Sequence, residues 1–217
     1  MFCRKKDGDS YAATLREAWK NLGERSESAA AAATRADFDP ENQTLAISML
    51  GRQAVVRCAG GIVSFDGGGE LSLAEKVLVL HHLAFSSGMA PTGRKVAFRE
   101  IPGCQFYNTT FSAHTIGALV SSFCNDAVSF ERACGSLGGT KEAGSGVVMR
   151  MQAFPNVPVW LCYWPGDDEL PPGAQVLYDS SVSAHLPAED IAVLGEYVVH
   201  GVMEAAGRGG GGCVYEN

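Results

Sequence analysis

A run of apolar residues at 157–164 (VPVWLCYW) constrains the fold more than any other part of this chain. It is rich in β-branched and aromatic side chains at nearly every position, which is typical of a strand buried on both faces. The preceding run, 146–154, places Arg150 and Gln152 between apolar residues and therefore indicates a neighbouring strand with one solvated face. We expect a sheet in which 157–164 is an interior strand.

Helical patterns occur before, between and after the runs that predict strands. Ser72 and Glu75 have the spacing of a capping box, which opens a helix. From Ile191 onward, apolar residues recur at helical spacing and predict a long amphipathic helix. The predicted helices cover 10–23, 24–37, 72–87, 112–124, 126–137 and a segment that follows Leu186 and Pro187, and the further predicted strands cover 44–50, 53–58, 62–65, 95–98 and 175–178.

These segments together predict an α+β fold, because helices and strands are grouped and do not alternate strictly. We expect a mainly antiparallel sheet with an N-terminal helix, a central helical segment and a long C-terminal helix packed on it. The length of 217 residues and the hydrophobic content of 46% fit one domain over residues 1–207. The glycine-rich residues 208–217 predict a flexible tail.

Charge and cysteine content narrow the classes of partner. The net charge of −7 disfavours a nucleic-acid surface, because such a surface needs clustered Lys and Arg. No apolar run reaches the roughly 18 residues of a membrane span, and no secretory signal follows the basic N-terminus. Seven scattered cysteines without a C-x-x-C pair are typical of reduced thiols. We expect a cytoplasmic protein without a nucleic-acid or membrane partner, and the sequence indicates no particular cofactor or metal.

Polar residues collect just beyond the predicted strands, where loops on a rigid scaffold concentrate functional groups. Arg99, Asp167 and Asp179 each follow one of these strands within three residues. We predict that they face one cleft together with Asp190, where the arginine keeps the carboxylates ionised. The full set of predicted ligand-binding residues is Arg99, Tyr107, His114, Asp167, Asp168, Glu169, Asp179, His185 and Asp190.

Two functions are compatible with this set of residues. The first is a small-molecule or cofactor binding or accessory domain, whose cleft holds a small polar ligand. The second is a hydrolase or metal-assisted enzyme, in which Asp, Glu and His of the 167–190 region supply ligands and acid or base groups. Binding is favoured, because the sequence shows no nucleophile with an adjacent base. The neighbouring His81 and His82 point about 100° apart on a helix, which predicts packing or surface roles.

Four motifs follow one another along the chain: LVLHHL at 78–83, GxxVAFREIPG at 93–103, FxND at 123–126 and LPAEDIAVLGE at 186–196. With these motifs the chain resembles the domain of unknown function 3786 family, found mainly in anaerobic bacteria and archaea, over most of its length from about Asp9. The family pattern usually has Thr at the position of Ala188 and Tyr near His185. The resemblance implies a soluble domain, sometimes fused to iron–sulfur or corrinoid-linked modules, and hence a partner of that kind. It implies no established activity.

Overall fold

The computed structural model describes residues 8–208, and its helices and strands make up an α+β fold, as predicted. The helices are α1 (Gly8–Gly23), α2 (Glu27–Thr34), α3 (Leu73–Phe85), α4 (Asn108–Ser112), α5 (Ala118–Phe123), α6 (Ala127–Ser136) and α7 (Ala188–Ala205). The strands are β1 (Asp37–Asp39), β2 (Thr44–Met49), β3 (Arg52–Arg57), β4 (Ile62–Phe65), β5 (Lys95–Ala97), β6 (Thr140–Glu142), β7 (Val147–Phe154), β8 (Val157–Trp164) and β9 (Gly173–Asp179). No helix in the described range has the length and apolar character needed to span a membrane. The predicted tail lies outside the described residues from residue 209 onward.

The strands are divided between two antiparallel sheets. The first is the meander β1-β2-β3-β4, and the second has the order β5-β9-β8-β7-β6. Strand β8 lies at the centre of the second sheet, and Trp160 and Leu161 are only 3% and 0% exposed. The prediction of an interior strand at 157–164 is therefore confirmed. The sequence did not predict the short strands β1 (DFD) and β6 (TKE), because they contain only one apolar residue between them.

Helix α7 approaches the second sheet very closely. Ile191 and Leu194 are fully buried on its inner face, and the Tyr178 hydroxyl of β9 donates a hydrogen bond of 2.9 Å to the Ile191 carbonyl. A Cβ atom at Gly195 would overlap both this hydroxyl and the ring of Phe111. Glycine at this position therefore sets the depth at which α7 rests, since a close-packed interior cannot absorb an added carbon there.

Helix α3 lies beside α7 and runs in the opposite direction. It begins at the predicted capping box, in which the Ser72 hydroxyl accepts a hydrogen bond of 3.3 Å from the Glu75 backbone N–H and the Glu75 side chain accepts one from the Ser72 N–H. His81, late in α3, contacts Asp190, early in α7. The beginning of α3 is consequently placed next to the end of α7.

The cysteines of the described range are Cys58, Cys104, Cys124, Cys134 and Cys162, and all are free thiols. Cys134 and Cys162 are buried, as their apolar neighbours in the sequence predict. Burial raises the pKa of the Cys134 thiol to about 12, which disfavours the reactive thiolate. Cys124 also follows apolar residues in the sequence, which predicts a buried thiol, but it is exposed because it lies beyond the last turn of α5.

Candidate functional site

A groove with a volume of about 490 Å³ lies over α7, where the end of this helix meets the beginning of α3. The apolar part of its lining includes Leu50, Leu78, Leu137 and Val193. The polar part consists of Arg52, Ser72, Glu75, Glu196, Tyr197, His200 and Glu204. This size and this mixture of apolar surface with a few polar groups are typical of sites for small organic molecules.

Helical spacing gives the groove three of its polar groups. Glu196, His200 and Glu204 follow one another at intervals of four residues, which places them along one face of α7. With a rise of about 1.5 Å per residue, the first and last are separated by about 12 Å along the helix axis. Gly201 allows Leu50 to pack beside this row of side chains. A Cβ atom at position 201 would lie only 2.8 Å from a methyl carbon of Leu50, which is too close for two carbon atoms.

Arg52 and Tyr197 add a cation and a hydroxyl donor to the groove. The guanidinium carbon of Arg52, at the start of β3, lies 3.4 Å from the centre of the Phe65 ring. Burial raises the pKa of the Tyr197 hydroxyl to about 12. The Glu75 and Glu204 carboxylates add to this rise, and the Arg52 guanidinium opposes it. The phenol therefore stays protonated at neutral pH and is able to donate a hydrogen bond.

His114 contacts the groove through Glu196. Its Nδ1 atom lies 3.0 Å from Oε1 of Glu196, and the two side chains are 21% and 22% exposed. The imidazole donates this hydrogen bond, because an ionised carboxylate only accepts. His114 was predicted as a ligand-binding residue, and the structure places it behind a carboxylate that lines the groove.

A π-helical turn at Ala113–Gly117, between α4 and α5, carries His114. Buried residues occur at intervals of four through this segment, and they are Phe111, Thr115, Leu119 and Phe123. An α-helix turns by about 100° per residue, so residues at this interval drift by about 40° at each step. The π-turn contains more residues per turn and takes up much of this drift. The apolar stripe consequently stays on the core while His114 faces α7.

Two further contacts hold α7 at its first turn. His81 Nδ1 of α3 lies 2.6 Å from Asp190 Oδ2, and the Tyr107 hydroxyl donates a hydrogen bond of 3.3 Å to Glu189. Asp190 also suits the positive end of the helix dipole. Asp190 and Tyr107 were predicted as ligand-binding residues, but the structure places them in these inter-segment contacts, and neither lines the groove.

The structure separates two carboxylates of the predicted cleft. Asp167 lies in the loop between β8 and β9, whereas Asp179 ends β9, so the two carboxylates are at opposite ends of the second sheet. Arg99 is exposed in a 3-10 turn after β5. The prediction of one shared cleft is wrong for Asp167 and Asp179, because consecutive antiparallel strands end at opposite ends of a sheet.

Asp179 is buried and accepts hydrogen bonds from the segment before β5 and from the residues after β9. Five donors from Thr92, Gly93 and Ser181 lie 2.7–2.9 Å from its carboxylate oxygens. Burial by itself raises the pKa of this carboxyl group, but the hydrogen bonds from Ser181 and Thr92 outweigh it and lower the pKa to about 2. The carboxylate therefore fastens the segment before β5 to the end of β9.

The remaining predicted residues also lie away from the groove. The Asp167 carboxylate accepts backbone hydrogen bonds of 2.9 and 2.8 Å from Glu169 and Leu170, which lower its pKa. Asp168 and Glu169 are exposed in the same loop. His185 is fully buried, with Nδ1 2.8 Å from the Ser86 hydroxyl. Ligand binding by any of these residues stays a prediction.

Most of the groove is not predicted by the sequence. The regular spacing of Glu196, His200 and Glu204 is a signal for one shared helix face. Arg52 gives no such signal, because it begins β3, and only the completed fold brings this strand end to α7. Within residues 8–208, no three side chains of His, Cys, Asp or Glu converge as metal ligands do.

One family model, described as Domain of unknown function (DUF3786), matches residues 27–201. The chain belongs to the DUF3786 family. The match spans β1 to β9 and most of α7, so most of the groove of this DUF3786 protein lies within the matched residues, whereas Glu204 and Ala205 lie beyond them. No curated protein and no solved structure matches the chain.

Proposed function

We propose that this DUF3786 protein binds a small polar organic ligand in the groove between α3 and α7. The observation that carries the proposal is the convergence of the Arg52 cation with the carboxylates of Glu196 and Glu204 on an apolar lining. A ligand placed there removes its apolar part from water against Leu78 and Val193, while its polar groups meet charged partners.

The charged groups of the groove differ in how far they are already engaged. Glu75 accepts the hydrogen bond that starts α3, so it has a structural role. Within the described residues, Arg52 has no ion-pair partner, and Glu204 is exposed. We assign Arg52 and Glu204 to the ligand because no described residue forms an ion pair with them, and Glu196 because only its Oε1 atom is engaged, by His114.

A blocking substitution tests this site. Ala74 is exposed and lines the groove in the first turn of α3, so Ala74→Trp fills the groove without cutting into the core. Ala29→Trp places the same side chain on an exposed position of α2 and is the matched control. Thermal unfolding of the three proteins is measured with a panel of amino acids, short peptides, amines, sugars and nucleotides.

A ligand at about 100 times its Kd stabilises a protein by about 2.7 kcal/mol, which raises the Tm by roughly 5–10 °C in a chain of this size. We expect this shift for wild type and Ala29→Trp but not for Ala74→Trp. An equal shift in Ala74→Trp places the site elsewhere. A panel in which no compound shifts the Tm of wild type contradicts the proposal.

Acid–base catalysis is a second proposal, supported by the His81–Asp190 pair. A carboxylate that orients an imidazole is a common feature of general bases. Turnover of simple ester or phosphate substrates that is lost in His81→Ala and retained in Ala74→Trp supports it. We further propose a cytoplasmic location from the scattered cysteines, and an iron–sulfur or corrinoid-linked partner from the family resemblance alone.

A further inference from the structure

We infer that Glu196, positioned by His114, receives an ammonium group, and that the ligand of the groove is an amino acid or short peptide whose carboxylate meets Arg52. This inference rests on the proposed function and adds the chemical class of the ligand. It follows from three features of the groove: a carboxylate oriented in advance, a guanidinium without an ion pair, and the apolar surface that lies in the same lining.

The carboxylate of Glu196 has one engaged oxygen and one open oxygen. Oε1 accepts the bond of 3.0 Å from His114, while Oε2 accepts no hydrogen bond from any residue in the range 8–208. The side chain lines the groove beside Val193. The bond from His114 engages only Oε1, so Oε2 is left as an acceptor for a ligand.

His114 lowers the cost of using this acceptor. A glutamate side chain has several rotatable bonds, and fixing it when a ligand arrives costs conformational entropy. The bond from His114 fixes the side chain before the ligand binds. The His114 backbone is itself held in the π-helical turn between α4 and α5, so the orientation is built into the fold. We therefore describe His114 as a positioning residue.

Arg52 supplies the complementary charge. Its guanidinium is stacked on Phe65, and it forms no ion pair with a described residue. The planar fork of a guanidinium matches a carboxylate in bidentate fashion. An ammonium acceptor and a carboxylate receptor in one groove favour a zwitterion. The apolar lining at Leu50 and Leu137 favours one that also carries an aliphatic side chain.

The carboxylates of the groove argue against strongly anionic ligands. Glu75, Glu196 and Glu204 face one arginine, so a nucleotide or a multiply phosphorylated sugar would meet like charges. A zwitterion brings one cation for this acidic lining and one anion for Arg52. This balance distinguishes the inference from binding of phosphorylated metabolites.

Three dipeptide derivatives test the assignment, and their affinities are measured by titration calorimetry. The probes are L-leucyl-L-alanine, its N-acetyl derivative, which lacks the ammonium group, and its C-terminal amide, which lacks the carboxylate. For wild type we expect each blocked derivative to bind about tenfold more weakly or worse, since each loses a charged hydrogen bond. Glu196→Gln should abolish only the effect of N-acetylation, and Arg52→Gln only that of amidation.

Two substitutions at His114 separate positioning from folding. His114→Phe removes the donor and should shrink the discrimination between free and acetylated dipeptide to less than about threefold. His114→Gln keeps an N–H donor and should restore most of it. A purely structural role changes the Tm but leaves this ratio unaltered. In Glu196→Gln, adding His114→Phe should not lower the affinity ratio of free to acetylated dipeptide any further, because His114 acts on this ratio only through Glu196.

Equal binding of the free and acetylated dipeptides by wild type overturns the inference, as does an unchanged ratio in a folded His114→Phe protein. If none of the dipeptides binds but another compound is excluded by Ala74→Trp, the ammonium assignment falls and the proposed function stands. If no compound binds at all, both fall.

Discussion

The neighbouring histidines of α3 show how one position along a helix changes the chemistry of a side chain. His81 is partly exposed, and its Nδ1 atom lies 2.6 Å from Asp190. His82 is fully buried and stacked on Phe154, with ring centres 4.1 Å apart. Neither ring nitrogen of His82 has a hydrogen-bond partner in the described part of the chain. One imidazole bridges two helices, and the other fills space in the core.

This difference is also electrostatic. Burial lowers the pKa of His82 to about 3, and the nearby His185 and Arg25 add to the lowering. His82 is therefore neutral at physiological pH and carries an N–H that is buried without an acceptor. A buried polar group in that state reduces stability, whereas a buried group with partners resists replacement. Asp179, with its five donors, is the buried and fully partnered case.

The largest effect is expected for Asp179→Ala. The substitution leaves the donors of Thr92, Gly93 and Ser181 without their acceptor, which should lower the free energy of unfolding by about 4 kcal/mol. Urea denaturation measures the change. The matched control is Asp167→Ala, an exposed carboxylate that also accepts backbone hydrogen bonds, where little change is expected. If both variants lose a similar amount of unfolding free energy, burial does not strengthen the hydrogen bonds that a carboxylate accepts, which contradicts the prediction.

A change of pH should show the cost of the buried imidazole. The unfolded chain takes up a proton at His82 near pH 6.5, but the folded protein takes it up only near pH 3. The unfolded state binds more protons between these values, so stability falls as the pH is lowered. Between pH 7 and pH 5 this residue should remove about 2 kcal/mol from the free energy of unfolding.

His82→Leu is the reference for this measurement, because it removes only this imidazole and leaves the other histidines in place. Wild type should lose about 2 kcal/mol more than His82→Leu between pH 7 and pH 5. Parallel pH profiles for the two proteins would show that His82 becomes charged without unfolding.

A smaller effect is expected for the bridge between α3 and α7. A double-mutant cycle with His81→Ala and Asp190→Asn should give a coupling energy of about 1 kcal/mol, since the pair is partly buried. The interaction of Asp190 with the helix dipole is lost equally in the presence and absence of His81, so it cancels from the coupling energy. The exposed pair Lys20–Glu17 is the control and should show a coupling near zero. Equal couplings would mean that burial adds nothing to the bridge.

The sequence predicts the helices and strands of this fold better than it predicts the contacts between them. Periodicity identifies β8 and α7, and the capping box identifies the start of α3, because each signal is local. The adjacent histidines are likewise predicted to have packing or surface roles, and the structure packs His82 in the core but places His81 in a contact with Asp190. Which histidine is buried depends on the face that α3 turns toward the core, where His82 packs on Phe154 of β7.

Local sequence signals of this kind do not predict the groove. Arg52 and Glu75 reach Glu196 and Glu204 only through the antiparallel packing of α3 on α7 and the placement of the first sheet beside them. The predicted cleft instead grouped residues by their distance from a strand end. Closeness to a strand end identifies a loop, but it does not show at which end of the sheet that loop lies. This rule therefore places Asp167 and Asp179 in one site, although they lie at opposite ends of the second sheet.

The smallest effect is expected for His82→Leu at neutral pH, and it is the sharpest test of the comparison. Leucine is close to histidine in volume and removes two polar atoms that have no partner in the described structure. The gain from removing them, about 1–3 kcal/mol, offsets the loss of the stacking on Phe154, about 1 kcal/mol. The free energy of unfolding should therefore stay within about 1 kcal/mol of wild type or rise. His82→Ala is the control for packing and should lose about 3 kcal/mol through the cavity that it leaves. If His82→Leu loses as much as His82→Ala, the imidazole nitrogens are hydrogen-bonded in solution and His82 belongs with Asp179, not with the apolar core.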